Sequence, residues 1–317
     1  MLELYIHIPF CVRKCNYCDF LSFPAGQAVI EQYVRALEEE IRRTGEEVYG
    51  QAARPEIGER TMASPKISTV FVGGGTPSVL EPEQIRSLFS CLRGNFILES
   101  DAEISMEANP GTLNQEKLSA CREAGINRLS LGLQSTDDGM LRTLGRIHTW
   151  EEFLQNYQDA RQAGFENINI DLMSGLPGQS LESYLETLEA VTVLEPEHIS
   201  SYSLILEEGT PFFNSEDIRR KLPDENTDRK MYEKTKEILH GKGYERYEIS
   251  NYAKAGFACR HNLGYWDEVP YLGLGLGASS YYKNARFSNE TDIRAYIKSP
   301  FVSFTKRNNY ECCDKKS

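Results

Sequence analysis

The sequence lacks basic clusters and long apolar runs. No Lys/Arg-rich run occurs in its 317 residues, and the net charge is −12. Because an acidic surface repels phosphate backbones, we expect no nucleic-acid partner. No apolar run approaches the roughly 20 residues that a membrane-spanning helix needs. We therefore expect no transmembrane segment.

The N-terminus also lacks the features of a secretory signal. Its first residues, MLELYIHIPF, contain no basic segment followed by an apolar stretch and a small-residue cleavage site. This predicts a cytoplasmic protein, in which thiols stay reduced. We expect the eight cysteines to be metal ligands or buried apolar residues rather than disulfides.

Short β-branched or aromatic runs alternate with longer segments whose apolar residues recur at helical spacing. Strands are predicted at 4–9, 68–72, 103–107, 128–133, 167–172 and 198–204, and helices at 28–49, 83–92, 115–124, 151–163 and 181–194. Strand–helix units in series predict an α/β fold with a parallel sheet and right-handed crossovers. The strands read as nearly continuous apolar segments, which indicates a sheet covered on both faces or closed into a barrel.

The pattern changes outside these units. Segment 51–66, with two prolines and no clear period, is typical of a surface insertion. A charged helix is predicted at 227–242, and the aromatic-rich stretch 244–282 follows it. Residues 305–317 are polar, carry Cys312 and Cys313, and look like an unanchored tail. We therefore divide the chain into a core of residues 1–225, an extension of residues 226–304 and a tail of residues 305–317.

Three cysteines, Cys11, Cys15 and Cys18, lie in one loop directly after the first predicted strand. Thiolates at this spacing can bind three irons of a 4Fe–4S cubane and leave the fourth iron open to a small molecule. A zinc site and coincidence are the alternatives. Zinc normally takes a fourth Cys or His at matching spacing, and the sequence offers no obvious one. We interpret the three cysteines as cluster ligands.

Functional side chains are expected at the C-terminal ends of the strands if the six units curl into a barrel. The second strand ends in Gly73-Gly74-Gly75-Thr76. Glycines there remove the Cβ atoms where a ligand approaches the backbone, although a plain tight turn is the alternative. The polar residues near the ends of the later strands are Glu107, Gln134, Arg146 and Asp171. Together they are predicted to face one rim.

The segment Leu4-Tyr5-Ile6-His7-Ile8-Pro9-Phe10-Cys11, with the cysteine spacing after it, resembles the radical SAM superfamily. It is most similar to the branch that contains oxygen-independent coproporphyrinogen III dehydrogenase and the HemW heme chaperones, and the resemblance runs from about residue 4 to residue 282. It implies a partial (β/α)6 radical-SAM barrel with a short, apparently truncated C-terminal extension. S-adenosylmethionine would chelate the open iron of the 4Fe–4S cluster, and one-electron reduction would cleave it to a 5′-deoxyadenosyl radical.

The resemblance also implies contacts with S-adenosylmethionine. Tyr5 would pack near the cluster, and the backbone of Tyr17 would lie against the adenine. Gly74, Gly75 and Thr76 would lie along the methionine and ribose moieties. Polar contacts around the same ligand are implied for Glu107, Gln134, Arg146 and Asp171.

Two features favour the HemW group over the dehydrogenase. Phe20 stands where the dehydrogenase carries a further cysteine, and only ten residues precede Cys11, whereas the dehydrogenase has a longer leading segment. A third feature is His261-Asn262-Leu263-Gly264-Tyr265-Trp266. It resembles the HNxxYW motif, which is associated with heme binding in the HemW group. A neutral imidazole is a good axial ligand for heme iron. A structural histidine in an aromatic core is the alternative, and we interpret Cys259 as a buried apolar residue rather than a rival ligand.

The sequence thus predicts a heme chaperone that binds heme, S-adenosylmethionine and a 4Fe–4S cluster and delivers heme to hemoproteins such as respiratory enzymes. A homodimer and peripheral membrane contact are further expectations, and no catalytic residue is assigned. The alternatives are the dehydrogenase reaction, which decarboxylates coproporphyrinogen III oxidatively, or radical chemistry on another substrate such as a tRNA base. HemW-type proteins continue into a C-terminal helical domain, which residues 305–317 do not resemble.

Overall fold

The computed structural model describes residues 1–50 and 64–304, and the backbone of residues 311–312. Most of the predicted insertion at 51–66 lies outside the described residues. So does nearly all of the predicted tail, including Cys313 and the side chain of Cys312.

Six parallel strands form the centre of the molecule. They are β1 (Leu2–Ile8), β2 (Ile67–Gly74), β3 (Leu98–Ala108), β4 (Arg128–Gln134), β5 (Ile168–Ser174) and β6 (His198–Ser203). Each of the first five pairs in parallel with the next strand along the chain. Because right-handed crossovers between successive neighbours return on the same side, the helices gather on one face of the sheet. This is the arrangement of an open barrel, as the sequence predicts.

The helices between the strands are α1 (Gln27–Tyr49), α2 (Pro82–Asn95), α3 (Gln115–Glu123), α4 (Asp138–Leu144), α5 (Trp150–Gln162) and α6 (Leu181–Thr192), with a short 3-10 turn at Pro77–Val79. Side-chain caps fix several starts: Asn114 accepts from Lys117 N, and Thr149 forms a capping box with Glu152. Along the outer face α1 packs on α2, α2 on α3, and α3 on α5. No helix in the described ranges combines the length and apolarity that crossing a membrane requires.

The two faces of the sheet differ in chemistry, which corrects the predicted apolar strands. On β1, Leu4 and Ile6 are fully buried, whereas Glu3 and Tyr5 alternate with them and point to the opposite face. The later strands repeat this pattern. Their buried polar side chains are Thr69, Glu103, Ser105, Arg128, Ser130, Asn169, His198 and Ser200. Thr69 and Glu103 hydrogen-bond to His261, and the other side chains hydrogen-bond to one another inside the barrel.

The predicted extension at 226–304 continues both edges of the same sheet. The helices α7 (Glu216–Lys221) and α8 (Glu225–Gly241) precede β7 (Glu245–Arg246) and β8 (Asn251–Ala253). β8 pairs antiparallel with β6, and β7 pairs antiparallel with β8. Then α9 (Arg260–Trp266) leads to β9 (Tyr271–Leu274), which pairs in parallel with β1. The remaining elements are β10 (Ser279–Tyr282), β11 (Ala285–Ser288), α10 (Ile293–Lys298) and β12 (Glu311–Cys312). The strand order is β12-β11-β10-β9-β1-β2-β3-β4-β5-β6-β8-β7.

A buried carboxylate fixes the extension to α1. Glu40 of α1 accepts hydrogen bonds from Gly275 N at 2.8 Å, from Tyr296 Oη at 2.6 Å and from Asn289 Nδ2 at 2.7 Å. All three donors belong to the segment after β9. Because a buried carboxylate needs such donors, Glu40 holds this segment against the first helix.

Candidate functional site

The cysteine loop lies at the C-terminal end of β1, and all three of its thiols are half-buried. Backbone hydrogen bonds fix both parts of the loop. Cys11 N donates to Phe23 O at 3.2 Å, and Asn16 N donates to Leu144 O at the end of α4 at 2.9 Å. The loop is therefore held at the rim where the sequence places it.

Each thiol has a polar neighbour. Thr76 Oγ1 donates to Cys11 Sγ at 3.4 Å, and Arg146 Nη1 donates to Cys15 Sγ at 3.6 Å. Cys18 Sγ lies 3.9 Å from Ser22 Oγ. A hydrogen-bond donor or a cation beside a cysteine favours the thiolate, which is the form that binds metal. The donors beside Cys11 and Cys15 fit sulfur ligands of a cluster, whereas burial raises the pKa of the Cys18 thiol.

In the parts of the chain that the structure describes, no three Cys, His, Asp or Glu side chains are arranged to hold one metal ion. A cubane makes a different demand, because each cysteine binds its own iron and the sulfurs stay apart. A tetrahedral zinc site, in contrast, needs its ligands around one point.

The glycine loop after β2 is shaped by close packing of the protein itself. A Cβ atom on Gly74, whose φ is +110°, would lie 2.3 Å from the His7 ring, and one on Gly75 would lie 2.6 Å from Phe10 O. Gly74 N donates to Glu107 Oε2 at 3.1 Å. The glycines are thus required by neighbouring protein atoms, a reason that differs from the ligand approach expected from the sequence.

The predicted site residues fall into two groups in space. Cys15, Thr76 and Arg146 line a small recess beside the cysteine loop. A separate cavity of about 190 Å³ inside the barrel is lined by Tyr5, Glu107, Asp171 and His261, among others. The structure therefore brings the residue predicted to bind heme into the same cavity as three residues predicted to contact S-adenosylmethionine.

The two carboxyl groups of this cavity differ in their partners. Asp171 accepts from Ser130 Oγ at 3.0 Å and from Asn169 Nδ2 at 2.8 Å, and burial raises its pKa. Burial raises the pKa of Glu107 to about 7, and the negative charge of Asp171 acts in the same direction. Glu107 can therefore gain or lose a proton near neutral pH.

Two further predicted residues lie at the rim. Gln134, the last residue of β4, is buried and has a φ of 77°, next to a register shift between β4 and β5. A left-handed φ is uncommon for a residue with a side chain, and residues of this kind often occur at functional sites. Tyr17, in the cysteine loop, lies with its ring 6.4 Å from that of Phe212.

His261 lies at the opposite end of the barrel, near the N-terminal ends of the strands. Its ring is only 1% exposed and stacks on Phe71 at 5.4 Å. Its Nδ1 lies 2.6 Å from Thr69 Oγ1, and its Nε2 lies 3.1 Å from Tyr265 Oη. Burial, helped by the guanidinium of Arg128, lowers the pKa of His261 to about 3. The imidazole is neutral, and both of its nitrogens have partners.

Two side chains that the sequence analysis did not assign join these groups. Asn109 lines the recess with Cys15, and Arg128 lines the barrel cavity and is 2% exposed. Asn109 carried a weak signal, a polar residue just beyond a predicted strand end. The corresponding signal for Arg128 was a charge at the start of an otherwise apolar strand.

Comparison with known proteins identifies the family of this chain. Residues 5–191 match the family model described as the radical SAM superfamily. The curated protein "Heme chaperone HemW" of Bacillus subtilis (strain 168) is 39% identical over 299 residues, which are 94% of this chain and 75% of the relative. The protein of the same name from Lactococcus lactis subsp. lactis (strain IL1403) is 37% identical, with 99% and 78% covered. The chain belongs to the HemW family of the radical SAM superfamily.

Solved structures support the fold of this HemW-family chain. Coproporphyrinogen III oxidase (HemN) from Escherichia coli, described as a radical SAM enzyme, superimposes with a TM-score of 0.78 at 28% identity. The match covers 94% of this chain and 68% of HemN. Streptococcus suis SuiB matches at 15% identity with a TM-score of 0.51, a likeness of fold alone. The predicted radical SAM α/β fold with a parallel sheet is therefore confirmed.

Proposed function

We propose that this chain is a heme chaperone that binds heme, a 4Fe–4S cluster and S-adenosylmethionine, and delivers heme to heme-accepting proteins such as respiratory enzymes. The observation that carries the proposal is 39% identity to a protein named heme chaperone over 94% of the chain. Phe20 supports it, since this side chain is 65% exposed beside the cysteine loop and cannot serve as a metal ligand.

Cys11, Cys15 and Cys18 would hold the cluster. When bound, it would supply the electron that cleaves S-adenosylmethionine. The chain's own contribution is to hold the thiolates in a loop fixed by backbone hydrogen bonds and to direct Thr76 and Arg146 at two of the sulfurs. These donors can hydrogen-bond to the metal-bound sulfurs.

For S-adenosylmethionine we propose contacts from both groups of residues. The proposed residues are Tyr5, Tyr17, Gly74, Gly75, Thr76, Glu107, Gln134, Arg146 and Asp171. The recess beside Cys15 supplies Thr76 and Arg146. In the barrel cavity, burial raises the pKa of Glu107 to about 7. At neutral pH only a fraction of the molecules therefore carry an ionised Glu107 that can pair with an ammonium group.

Heme would contact the segment around His261. Its low pKa, about 3 because of burial, keeps the imidazole neutral, which is the form that ligates iron. Ligation requires Nε2 to leave Tyr265 or Nδ1 to leave Thr69. The cavity of about 190 Å³ is smaller than the roughly 300–1,000 Å³ of drug-sized ligand sites, so α9 must move outward for a porphyrin to reach this ring.

Heme titration of the anaerobically reconstituted chain tests the proposal. We expect a saturable heme spectrum in the wild type, altered in His261→Ala and unchanged in His240→Ala, a control whose ring is exposed on α8. Size-exclusion chromatography of the same samples tests the expected homodimer. If the wild type gives no saturable spectrum, the chaperone proposal is wrong.

Iron and sulfide analysis tests the cluster separately. Cys15→Ser is expected to lose most of its bound iron, because one cubane iron loses its ligand. Cys91→Ser changes a cysteine on α2 that donates to Glu38 O, and it is expected to keep the iron. Equal iron content in the two variants would contradict the ligand assignment.

The second candidate function is oxidation of coproporphyrinogen III, and the likeness to HemN favours it. Phe20 weighs against it, as does the higher identity to the chaperones. An anaerobic assay for protoporphyrinogen formation decides between the two. Product formation with S-adenosylmethionine and a reductant would favour the oxidase.

A further inference from the structure

Asn109 lies between two of the proposed cluster ligands. Its Nδ2 donates to Thr76 Oγ1 at 2.7 Å, and Thr76 Oγ1 donates to Cys11 Sγ at 3.4 Å. On its other side, Arg146 Nη2 donates to Asn109 Oδ1 at 2.6 Å, and Arg146 Nη1 donates to Cys15 Sγ at 3.6 Å. We name Thr76, Asn109 and Arg146 the amide bridge. It joins one cysteine sulfur to another through hydrogen bonds.

The backbone of Asn109 is also fixed. Asn109 N donates to Ser78 Oγ at 3.1 Å, and Thr112 Oγ1 donates to Asn109 O at 2.6 Å. Ser78 and Thr112 are themselves hydrogen-bonded through their hydroxyl groups. All polar groups of Asn109 therefore have partners, and the loop after β3 is joined to the turn after β2.

The orientation of the amide follows from the chemistry of its neighbours. A guanidinium only donates, so the amide oxygen must face Arg146 and the NH2 group must face Thr76. Gly132 of β4 makes room for this pair. A Cβ atom there would lie 2.9 Å from Asn109 Oδ1 and 3.0 Å from Arg146 Nη2.

We propose that Asn109 is a positioning residue that sets the reduction potential of the cluster; this inference rests on the proposed ligation by Cys11 and Cys15. The amide NH2 occupies a lone pair of Thr76 Oγ1 and leaves the hydroxyl proton for Cys11. The amide oxygen holds the guanidinium so that Nη1 faces Cys15. Hydrogen bonds to cluster sulfurs stabilise the extra negative charge of the reduced state and so raise the potential.

An EPR-monitored redox titration of the reconstituted full chain tests this role. In Asn109→Ala both sulfurs lose an oriented donor, so we expect a more negative midpoint with unchanged iron and sulfide content. At the wild-type midpoint the ratio of reduced to oxidised cluster should fall roughly tenfold, the effect of losing about one hydrogen bond to a charged group. The matched control is Asn156→Ala, which removes an amide that accepts from Gly111 N in the same loop and should leave the midpoint unchanged.

Asn109→Asp keeps the side-chain volume. It is the variant to titrate if circular dichroism shows that Asn109→Ala does not fold. It retains an acceptor for Arg146 but replaces the NH2 donor, so the Thr76 hydroxyl turns from Cys11 to the new carboxylate. This loss and the added negative charge both make the midpoint more negative. Variants that hold full iron and titrate at the wild-type midpoint would overturn the inference and leave the cluster proposal intact. A wild type that binds neither iron nor sulfide would instead refute the cluster proposal.

Discussion

At the scale of single residues, Glu3 and His261 lie 3.5 Å apart, carboxylate oxygen to Nδ1, in the interior of the barrel. Burial raises the pKa of Glu3 to about 8 and lowers the pKa of His261 to about 3. Both side chains are therefore neutral at pH 7, and their contact is not an ion pair. The nearby charges of Glu103 and Arg260 act on Glu3 in opposite directions.

We expect Glu3→Gln to be more stable than the wild type above pH 8. Folded Glu3 keeps its proton up to about pH 8, whereas the unfolded carboxyl loses it near pH 4.5. The contribution of Glu3 to the free energy of unfolding is therefore present below pH 4.5 and is lost as pH rises to 8. Urea unfolding measured at several pH values checks this.

The exposed Glu208→Gln is the control for this series. His261 contributes in the opposite sense: its lowered pKa gives stability above pH 6.5 that is lost as pH falls toward 3. Glu3→Gln should therefore retain a loss of stability in acid. A variant whose stability still fell between pH 4.5 and 8 as steeply as that of the wild type would contradict the assignment.

Substitution by alanine is expected to have opposite effects on stability at two glycines. Gly74→Ala places a methyl group 2.3 Å from the His7 ring at a φ of +110°, so we expect a loss of about 1–3 kcal/mol in the free energy of unfolding. Gly94 lies within α2 with nothing near its Cβ position, so Gly94→Ala should gain about 1 kcal/mol. Denaturant titration measures both. A Gly74→Ala variant as stable as the wild type would show that the loop has room to shift.

At the scale of elements, α9 depends on a carboxylate from another strand. Its N-cap residue, Cys259, makes no side-chain cap. Glu103 of β3 accepts instead from Arg260 N at 3.1 Å, from His261 N at 3.3 Å and from Cys259 Sγ at 3.4 Å. The start of α9 is thus fixed by the sheet rather than by its own sequence.

Glu103→Ala should therefore lower the free energy of unfolding by about 1–3 kcal/mol, because two buried N–H groups lose their acceptor. Glu103→Gln retains one acceptor oxygen and should recover part of this loss. Thermal unfolding followed by circular dichroism gives both values. Equal melting temperatures for the wild type and Glu103→Ala would contradict this capping role.

The sequence predicted the six parallel strands because each is long enough to show its period between helical segments. It did not predict β9 to β12, whose two to four residues are too few to show a period. The pairing of β9 with β1 is also non-local. The cysteine loop was predictable because its spacing is local. The contacts of Asn109 and the burial of His261 depend on how loops distant in sequence meet, which no local pattern encodes.

At the scale of the whole molecule, Glu40 joins the first helix to the last described helix. We expect Glu40→Ala to increase amide hydrogen exchange in β9, β10 and α10 more than in β3 and β4, because the donors Gly275 N and Tyr296 Oη lose a buried acceptor. Hydrogen exchange followed by mass spectrometry measures this. The half-exposed Glu39→Ala is the control, and uniform exchange across the sheet would contradict the local role of Glu40.

The central position of β1 in the sheet determines when its two neighbours can pair with it during synthesis. Glu3 pairs with Tyr271, 271 − 3 = 268 residues later, so one side of the first strand stays open until these residues have been synthesised. At about 5–20 residues per second this interval is roughly 13–54 s. During that time the cysteine loop follows a strand that is paired with a neighbour on one side only. We therefore expect the proposed cluster to be inserted only after β9 has paired with β1.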